Sequence, residues 1–310
     1  MADVLVFGAD SLVGSHFVAY SGLSVAAAGR ADPRLSGLVV DRFEPVDLVD
    51  RSALSRLVLD ASEPTVINFA ARTDVDGVEQ ERPPPGEEPR GPAWEVNALA
   101  PGVIARAAAE TGKHLVQIST DFVFDGRDGP YDESALRSPL SSALSWYGWS
   151  KSEGERLVAE RLPKAGIVRI SLPFRSKFPG KLDFARGILK RFQDGSLTGL
   201  YTDQQITPTW IPDVTEVLRA MAARRVGGIV HVVSPRVTTP LEFGMELLRR
   251  AGHDASKVPT STLASVRAPD RAPRPLRGGL RTQAATALGA PLTSWDEAIR
   301  RFIAEQGGRQ

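Results

Sequence analysis

The chain of 310 residues is 42% hydrophobic and 24% charged, the composition of a globular protein with one large domain or two modest ones. Its 38 basic and 37 acidic residues give a formal net charge of +1, which provides no overall field for binding nucleic acid or an anionic membrane. Cysteine is absent, which excludes disulfides, thiolate nucleophiles and cysteine-bound metals. No apolar run approaches the ~20 residues of a membrane helix. We therefore expect a cytoplasmic protein with no nucleic-acid or membrane partner.

Short apolar runs alternate with helical patterns in the first half of the chain. Strands are predicted at residues 4–7, 23–28, 38–40, 65–69, 114–118 and 166–172, and helices at 12–20, 50–60, 92–111 and 147–161. Continuous apolar strands separated by helices are typical of a parallel sheet that is covered on both faces. The pattern therefore predicts an α/β fold with a doubly wound parallel sheet and right-handed crossovers.

The second half has a less regular pattern. Helices are predicted at residues 182–193, 213–223, 240–251 and 295–304, and one further strand at 228–233. A proline-rich segment (82–92) and a serine-rich segment (138–145) are predicted to be surface loops. Neither is long enough to link two independent domains.

The turn after the first strand runs from Gly8 to Gly14 and has the sequence GADSLVG. A nucleotide-binding crossover requires a sharp turn at this point, where the pyrophosphate meets the N–H groups at the start of the next helix. Ser11 occupies the position of the middle glycine, where its side chain either displaces the pyrophosphate slightly or provides a hydroxyl donor. A tight turn without a ligand is the alternative that this segment leaves open.

Arg30 stands directly after the second predicted strand. Dehydrogenases that use NAD often carry an acid near this point for the ribose hydroxyls, whereas a cation suits the 2′-phosphate of NADP. Arg30 therefore favours NADPH, with NADH still possible. The alternative for this residue is a solvated surface arginine.

Tyr147 and Lys151 lie four positions apart, on one face of a predicted helix. A phenol with a pKa near 10 becomes a useful acid or base at neutral pH when a nearby ammonium stabilises its anion. Thr120 and Asp121 follow an apolar strand, at the carboxyl edge where parallel sheets bind ligands. A hydroxyl at this point can share a substrate carbonyl oxygen with Tyr147. Asp121 is either a functional residue or the cap of a turn.

Several segments together resemble the extended short-chain dehydrogenase/reductases and, within them, the dTDP-4-dehydrorhamnose reductase family. They are residues 68–76, 119–126, 147–155 and 203–209, with Glu79, Asn97, Asp213, Arg274 and Trp295. The resemblance covers nearly the whole chain, and residues 119–126 and 203–209 are more specific to the family than the glycine turn. It implies that NADPH, or NADH, reduces a 4-keto sugar nucleotide, with dTDP-4-dehydro-L-rhamnose as the expected substrate.

The resemblance also implies roles for particular residues. It assigns catalysis to Thr120, Tyr147 and Lys151. Together with the glycine turn and Arg30, it gives the cofactor-binding residues as Gly8, Ser11, Leu12, Val13, Gly14, Arg30, Asp47, Leu48, Ala70, Ala71, Arg72, Tyr147 and Lys151. The residues expected near the substrate are Val75, Thr120, Asp121, Leu172 and Arg274.

The expected organisation follows the same family. Residues 1–172 with about 204–234 would form the dinucleotide-binding Rossmann domain, and residues 173–203 with 235–310 a smaller C-terminal α/β substrate lobe. The basic loop that contains Arg274 either faces the diphosphate of the sugar nucleotide or is solvated, and the match to the family favours the first. We expect no metal site, because the four histidines are scattered and no dedicated carboxylate cluster is evident. A homodimer is possible.

Other functions remain open at this stage. Leu172 stands where many relatives carry a tryptophan that packs on the sugar, and the loops 82–92 and 138–145 are insertions beside the active-site edge. A reductase of another ketosugar is therefore an alternative. A noncatalytic NADP-binding regulatory subunit, as found with methionine adenosyltransferase, is a second. A nucleotide-sugar epimerase or dehydratase is a third, although Arg30 and residues 203–209 argue against it.

Overall fold

A central sheet of seven parallel strands dominates the computed structural model, which describes residues 2–263, 265, 271–290 and 292–307. In chain order the strands are β1 (Val4–Phe7), β2 (Val25–Gly29), β3 (Arg42–Pro45), β4 (Thr65–Asn68), β5 (His114–Thr120), β6 (Gly166–Ile170), β7 (Leu200–Tyr201), β8 (Gly228–His231) and β9 (Thr260–Ser261). Their order in the large sheet is β3-β2-β1-β4-β5-β6-β8, and β7 pairs with β9 in a separate parallel ribbon. The order 3-2-1-4-5-6 is that of the Rossmann fold, which confirms the predicted fold class.

The helices connect the strands and cover both faces of the sheet. They are α1 (Gly14–Tyr20), α2 (Arg51–Asp60), α3 (Val75–Glu79), α4 (Pro92–Trp94), α5 (Ala100–Glu110), α6 (Trp146–Arg161), α7 (Phe184–Gln193), α8 (Ile211–Arg224), α9 (Pro240–Arg250), α10 (Gln283–Ala287) and α11 (Trp295–Gly307). A π-helical turn, Glu95–Leu99, joins α4 to α5. Side chains cap the N-termini of α2, α6, α7 and α9; Ser145, for example, accepts a hydrogen bond from the Gly148 N–H at the start of α6.

The side chains of each strand alternate between two apolar layers. Val4 and Val6 of β1 pack in the layer formed with α1 and α8, whereas Leu5 and Phe7 pack in the layer formed with α2, α5 and α6. All four side chains are at most 1% exposed. Because both faces of the sheet are covered, the central strand β1 is apolar throughout, as the sequence pattern indicated.

A third apolar cluster lies in the C-terminal half and is built on α7, α9 and α11. Two residues cross the predicted boundary between domain and lobe: Trp210 belongs to this cluster, whereas Ala285 of α10 packs against the central sheet. The division at residues 172 and 204 stays a prediction.

One predicted strand is wrong. Residues 38–40 are irregular, and the third strand is Arg42–Pro45. This strand lies at the edge of the sheet and pairs only with β2, so it carries charged residues in place of an apolar run; Arg42 forms an ion pair with Glu63. Leu38 and Val40 are apolar because they pack against the layer with α1. The segments 82–92 and 138–145 form loops, as predicted.

Among the residues with described positions, no helix has the length and the apolar character to span a membrane.

Candidate functional site

The residues expected to form the site are gathered at one edge of the sheet. The glycine turn follows β1, Arg30 follows β2, Ala70 follows β4, Thr120 ends β5, and Leu172 lies two residues beyond β6. Since all these strands are parallel, their carboxyl ends lie at the same edge. This is the edge at which open α/β sheets bind their ligands.

Tight backbone packing explains the glycines of the turn. Gly8 has φ +73°, and a Cβ there would lie 2.8 Å from the Ala70 nitrogen. A Cβ on Gly14 would overlap the Gly8 carbonyl oxygen. The Ser11 hydroxyl accepts a hydrogen bond of 3.0 Å from the Gly14 N–H, so this side chain is bonded within the turn.

The turn has backbone donors for a phosphate group. Within the described part of the chain, no protein acceptor bonds the N–H groups of Leu12 and Val13. Such unpaired N–H groups, next to a glycine turn that holds two backbone segments in contact, suit a pyrophosphate. The residues present therefore fit a dinucleotide.

The other residues expected to bind the cofactor differ in exposure. Arg30 is exposed, and so is Asp47, whose carboxylate accepts a hydrogen bond of 3.2 Å from the Val49 N–H. Leu48 is 6% exposed and packs in the layer with α2. Only the backbone of Leu48 is therefore available for contact with a nucleotide.

Asn97 fixes the segment after β4. It lies in the π turn, and its side-chain oxygen accepts from the Arg72 N–H at 2.8 Å while its nitrogen donates to the Arg72 carbonyl at 3.0 Å. The same nitrogen lies 3.1 Å from the hydroxyl of Ser150, next to Lys151. One buried amide thus joins the predicted cofactor segment to α6. Asn97 belongs to the resembling residues, but its clamping role was missed, because the sequence gives no signal for a π turn.

Tyr147 and Lys151 lie on α6 against the end of β5. Gly148 allows the close contact, because a Cβ there would overlap the Phe122 carbonyl oxygen. Tyr147 is 8% exposed, and its ring lies edge-on to Phe122 at 5.7 Å between centroids. The Lys151 ammonium donates a hydrogen bond of 2.7 Å to the Ile118 carbonyl. The structure therefore brings Thr120, Tyr147 and Lys151 together.

Burial dominates the electrostatics of this trio. It raises the pKa of Tyr147 above its usual range; the Thr120 side chain opposes this shift, and the charge of Asp121 adds to it. We expected Lys151 to lower this pKa, and the direction is the opposite because desolvation of the phenol is the larger effect. Burial also lowers the pKa of Lys151 to about 8, although the carboxylate of Glu155 acts to raise it.

Asp121 lies at the centre of a buried hydroxyl cluster. Its carboxylate accepts hydrogen bonds from Ser171 at 2.6 Å and from Thr120 at 3.1 Å. Burial raises its pKa to about 6. The side chain that caps the following 3₁₀ turn is that of Thr120, which accepts from the Phe122 N–H at 3.3 Å. Asp121 therefore holds the hydroxyl groups of Thr120, at the end of β5, and Ser171, just after β6.

This raised pKa has a consequence for stability. The unfolded pKa of Asp121 is near 3.8 and the folded pKa is about 6, so the folded state binds the proton more tightly. Its contribution is thus favourable at low pH and is lost as the pH rises from about 4 to about 6. We expect Asp121→Asn to remove this dependence. From pH 4 to pH 7 the free energy of unfolding of the variant should therefore rise relative to that of the wild type by on the order of 2 kcal/mol. Urea denaturation at both pH values measures the difference, and an equal difference at the two values would contradict it.

The expected substrate residues surround the same edge. Leu172 is half-buried and has a left-handed backbone with φ +42°. Val75 begins α3. One guanidinium nitrogen of Arg274 donates to both carboxylate oxygens of the next residue, Asp76, at 2.9 Å each. Asp76 also accepts from the Ala272 N–H at 3.0 Å. The loop that contains Arg274 is thereby attached to α3, beside the end of β4. Arg267, at the start of the basic loop, lies outside the described residues.

The two inserted loops contact each other. The Arg82 guanidinium donates a hydrogen bond of 2.6 Å to the Leu144 carbonyl, and Glu79 of α3 accepts one of 2.6 Å from the Trp146 N–H. These contacts lie at the start of α6, one residue from Tyr147. They connect the insertions to the first turn of the helix that carries the predicted acid.

Metal ligands are absent from the site as far as it is described: no group of three or more histidine or acidic side chains among the described residues has the arrangement that holds a metal ion. His114 and His231 are buried, and His16 is partly buried. Burial and a nearby arginine lower the pKa of both His16 and His231 to about 4.

Comparison with known proteins agrees with this arrangement. A family model described as the RmlD substrate binding domain matches residues 1–307. The chain is 29% identical to dTDP-4-dehydrorhamnose reductase of Mycobacterium tuberculosis, over 97% of this chain and 92% of that protein. It is 30% identical to dTDP-4-dehydrorhamnose reductase of Streptomyces griseus, over 98% of this chain and 94% of that protein.

A solved structure is similar over the same length. It is dTDP-4-dehydrorhamnose reductase of Bacillus anthracis in complex with NADP, 25% identical, with a TM-score of 0.77 over 97% of each chain. The family resemblance stated from the residues is therefore confirmed. The chain belongs to the RmlD substrate binding domain family.

Proposed function

We propose that the protein catalyses the NADPH-dependent reduction of a 4-keto sugar nucleotide, dTDP-4-dehydro-L-rhamnose, to dTDP-L-rhamnose. The observation that carries this proposal is the meeting of Thr120, Tyr147 and Lys151 at the carboxyl edge, beside a glycine turn that fits a dinucleotide. Relatives of nearly the same length named as this reductase, and one solved in complex with NADP, support it.

Each residue of the trio has a separate task. When bound, NADPH supplies a hydride to C4 of the ketosugar. Tyr147 donates its phenolic proton to the carbonyl oxygen as that oxygen gains negative charge, and Thr120 holds the same oxygen by a hydrogen bond. Lys151 orients the ribose and places a positive charge beside the phenolate that forms. One hydride and one proton convert the ketone to an alcohol.

The raised pKa of Tyr147 suits this direction of reaction. A phenol whose pKa lies above its usual range is fully protonated at neutral pH, so it starts the reaction as an acid. In this structure the Thr120 hydroxyl donates its single proton to Asp121, which also accepts from Ser171. In the proposed reaction this hydroxyl turns from Asp121 to donate to the ketosugar oxygen. We assign the approach to the sugar to Val75, Asp121 and Leu172, and the contact with the diphosphate to Arg274.

The direct test is a reduction assay with purified protein. We expect NADPH to be consumed when dTDP-4-dehydro-L-rhamnose is supplied by the preceding enzymes, with dTDP-L-rhamnose as the product and with NADH oxidised more slowly. Arg30→Ala should narrow the preference between NADPH and NADH, because the cation near the 2′-phosphate is lost. Tight NADPH binding without oxidation by any 4-keto sugar nucleotide would favour a regulatory subunit. Turnover with a different ketosugar alone would correct the substrate.

A further inference from the structure

Arg175 is a buried cation that the proposed chemistry does not use. It follows Phe174, whose ring packs against Trp210 and Phe243 at 5.3 and 5.2 Å between centroids. Phe174 also exchanges backbone hydrogen bonds with Thr209 and Ile211. The chain just before Arg175 is therefore held firmly by the C-terminal apolar cluster. The side chain itself leaves this cluster and reaches the α1 side of the sheet.

The contacts of Arg175 are few for a guanidinium. One nitrogen donates a hydrogen bond of 2.8 Å to the Ser15 hydroxyl on α1, and the group lies over the Phe178 ring at 4.6 Å. The residue is 7% exposed, and its Nε is buried with no hydrogen-bond partner among the described residues. A guanidinium has five donors, so most of its capacity is not used within the protein.

The charge of Arg175 is only weakly balanced: Asp183 attracts it without forming a salt bridge, and Arg186 places a like charge nearby. No acidic side chain in the described ranges lies within 4.0 Å of its guanidinium. Asp183 accepts hydrogen bonds from the Arg186 side chain at 2.7 Å and from the Arg175 backbone N–H at 3.4 Å. Burial, and after it the charge of Arg175, lowers the pKa of His16 to about 4, so His16 is neutral at pH 7. A buried cation without a partner is costly, and an anion that binds nearby removes that cost.

Ser15 connects this cation to the glycine turn. Its hydroxyl accepts from Arg175 and donates a hydrogen bond of 2.6 Å to the Ser11 carbonyl oxygen, within the turn itself. The turn carries an exposed acid, Asp10, and no basic residue. One of its backbone donors, the Gly14 N–H, is already bonded to the Ser11 hydroxyl. The turn therefore lacks a positive charge for a dianionic group.

We propose that Arg175 binds the pyrophosphate of the dinucleotide, and so supplies from the loop after β6 the cation that the glycine turn lacks. This assignment rests on the proposed function, since it requires that a dinucleotide binds at the turn. The guanidinium keeps its Ser15 contact or exchanges it for a phosphate oxygen, and a planar fork of N–H groups matches that oxygen geometry.

The test is a binding titration of the Arg175→Met variant with NADPH, in which the fluorescence of NADPH reports the Kd. Loss of a charged hydrogen bond to phosphate is worth roughly 10- to 100-fold in Kd, so we expect the Kd for NADPH to rise about tenfold or more. Adenosine 2′-monophosphate lacks the pyrophosphate, and its Kd should be unchanged in the variant. Arg175→Lys keeps the charge but not the planar fork of N–H groups. Its Kd for NADPH should lie between those of the wild type and Arg175→Met. Arg191→Met, an exposed arginine on α7, is the matched control and should bind NADPH as the wild type does.

A structural role for Arg175 would give a different result. If the arginine only attaches the loop to α1, Arg175→Met should melt at a lower temperature without cofactor. The binding of NADPH and of adenosine 2′-monophosphate should then be weakened equally, or neither should change. Our assignment predicts an unchanged or higher melting temperature without cofactor, because an unbalanced buried cation has been removed, and a smaller upward shift when NADPH is added. Should Arg175→Met fail to fold, a Kd for NADPH equal to that of the wild type in Arg175→Lys would contradict the assignment. A wild type that binds no NADPH would instead contradict the proposed function.

Discussion

Replacing Tyr147 by phenylalanine is expected to lower turnover by about 10²-fold or more, the usual scale for the loss of a general acid. The change removes only the hydroxyl, so the ring keeps its edge-on contact with Phe122 and the apolar packing at the start of α6. Stability should therefore stay close to that of the wild type, and the Kd for NADPH should change much less than kcat. Steady-state kinetics and an NADPH titration on the same preparation separate the two effects.

Tyr131→Phe is the matched control for this prediction. Tyr131 also has its ring packed on a phenylalanine, Phe124, at 4.0 Å between centroids, and its hydroxyl accepts from the Asp128 N–H at 3.0 Å. We expect this variant to retain nearly full turnover, since its hydroxyl is not among those gathered around Thr120. If Tyr147→Phe also retained full turnover, the assignment of the acid would be wrong.

The second large effect is expected at Glu155, one helical turn beyond Lys151. Its carboxylate forms a two-pronged ion pair with Arg169, at 2.9 and 2.7 Å, and the two side chains are 1% and 0% exposed. Glu155→Gln leaves a buried guanidinium without a full negative partner, and breaking such a pair by changing one member costs about 3–5 kcal/mol. Urea denaturation measures this loss in the free energy of unfolding.

Two comparisons make this prediction specific. Glu160→Gln breaks an exposed ion pair with Arg156 on the same helix and should cost less than about 1 kcal/mol. The double change Glu155→Met with Arg169→Met removes both charges and should recover much of the stability. In Glu155→Gln that still folds, the pKa of Lys151 should fall further below about 8, because the carboxylate that raises it is gone. Turnover should then begin to decline at a lower alkaline pH than in the wild type.

The strands of the central sheet could be predicted because they are buried on both faces. β1 and β5 are continuous buried runs, and such runs indicate a parallel strand whatever lies around them. The edge strand Arg42–Pro45 gives no such signal, since it is only partly buried and carries charges. The elements α3, α10, β7 and β9 were not predicted, because two to five residues are too few to show a period.

The site could be predicted as far as it consists of strand ends. Thr120 and Ser11 could be located because each directly follows a predicted strand or lies in its turn, and parallel strands bring such positions to one edge. The contacts of Asn97 and Arg175 depend on residues far away in sequence, Arg72 and Ser15. No local pattern specifies which residue a side chain reaches across a fold, so these roles required the structure.

Charge states were the least predictable property of the site. The four-residue spacing of Tyr147 and Lys151 suggested a lowered pKa for the phenol, whereas burial raises it. Desolvation depends on how completely neighbouring segments cover a group, and spacing along a helix carries no information about that cover.

We propose that Leu172 approaches the sugar, and its backbone then limits which side chains this position can carry. A leucine at φ +42° bears a steric cost of roughly 1–2 kcal/mol, and a β-branched residue would fit this conformation still less well. Valine, isoleucine and threonine are therefore closed to the position, whereas glycine and asparagine relieve the strain. A single substitution that changes the sugar preference at this position should therefore introduce a smaller side chain or an amide. A bulkier aliphatic side chain would first require a different backbone conformation in the loop after β6.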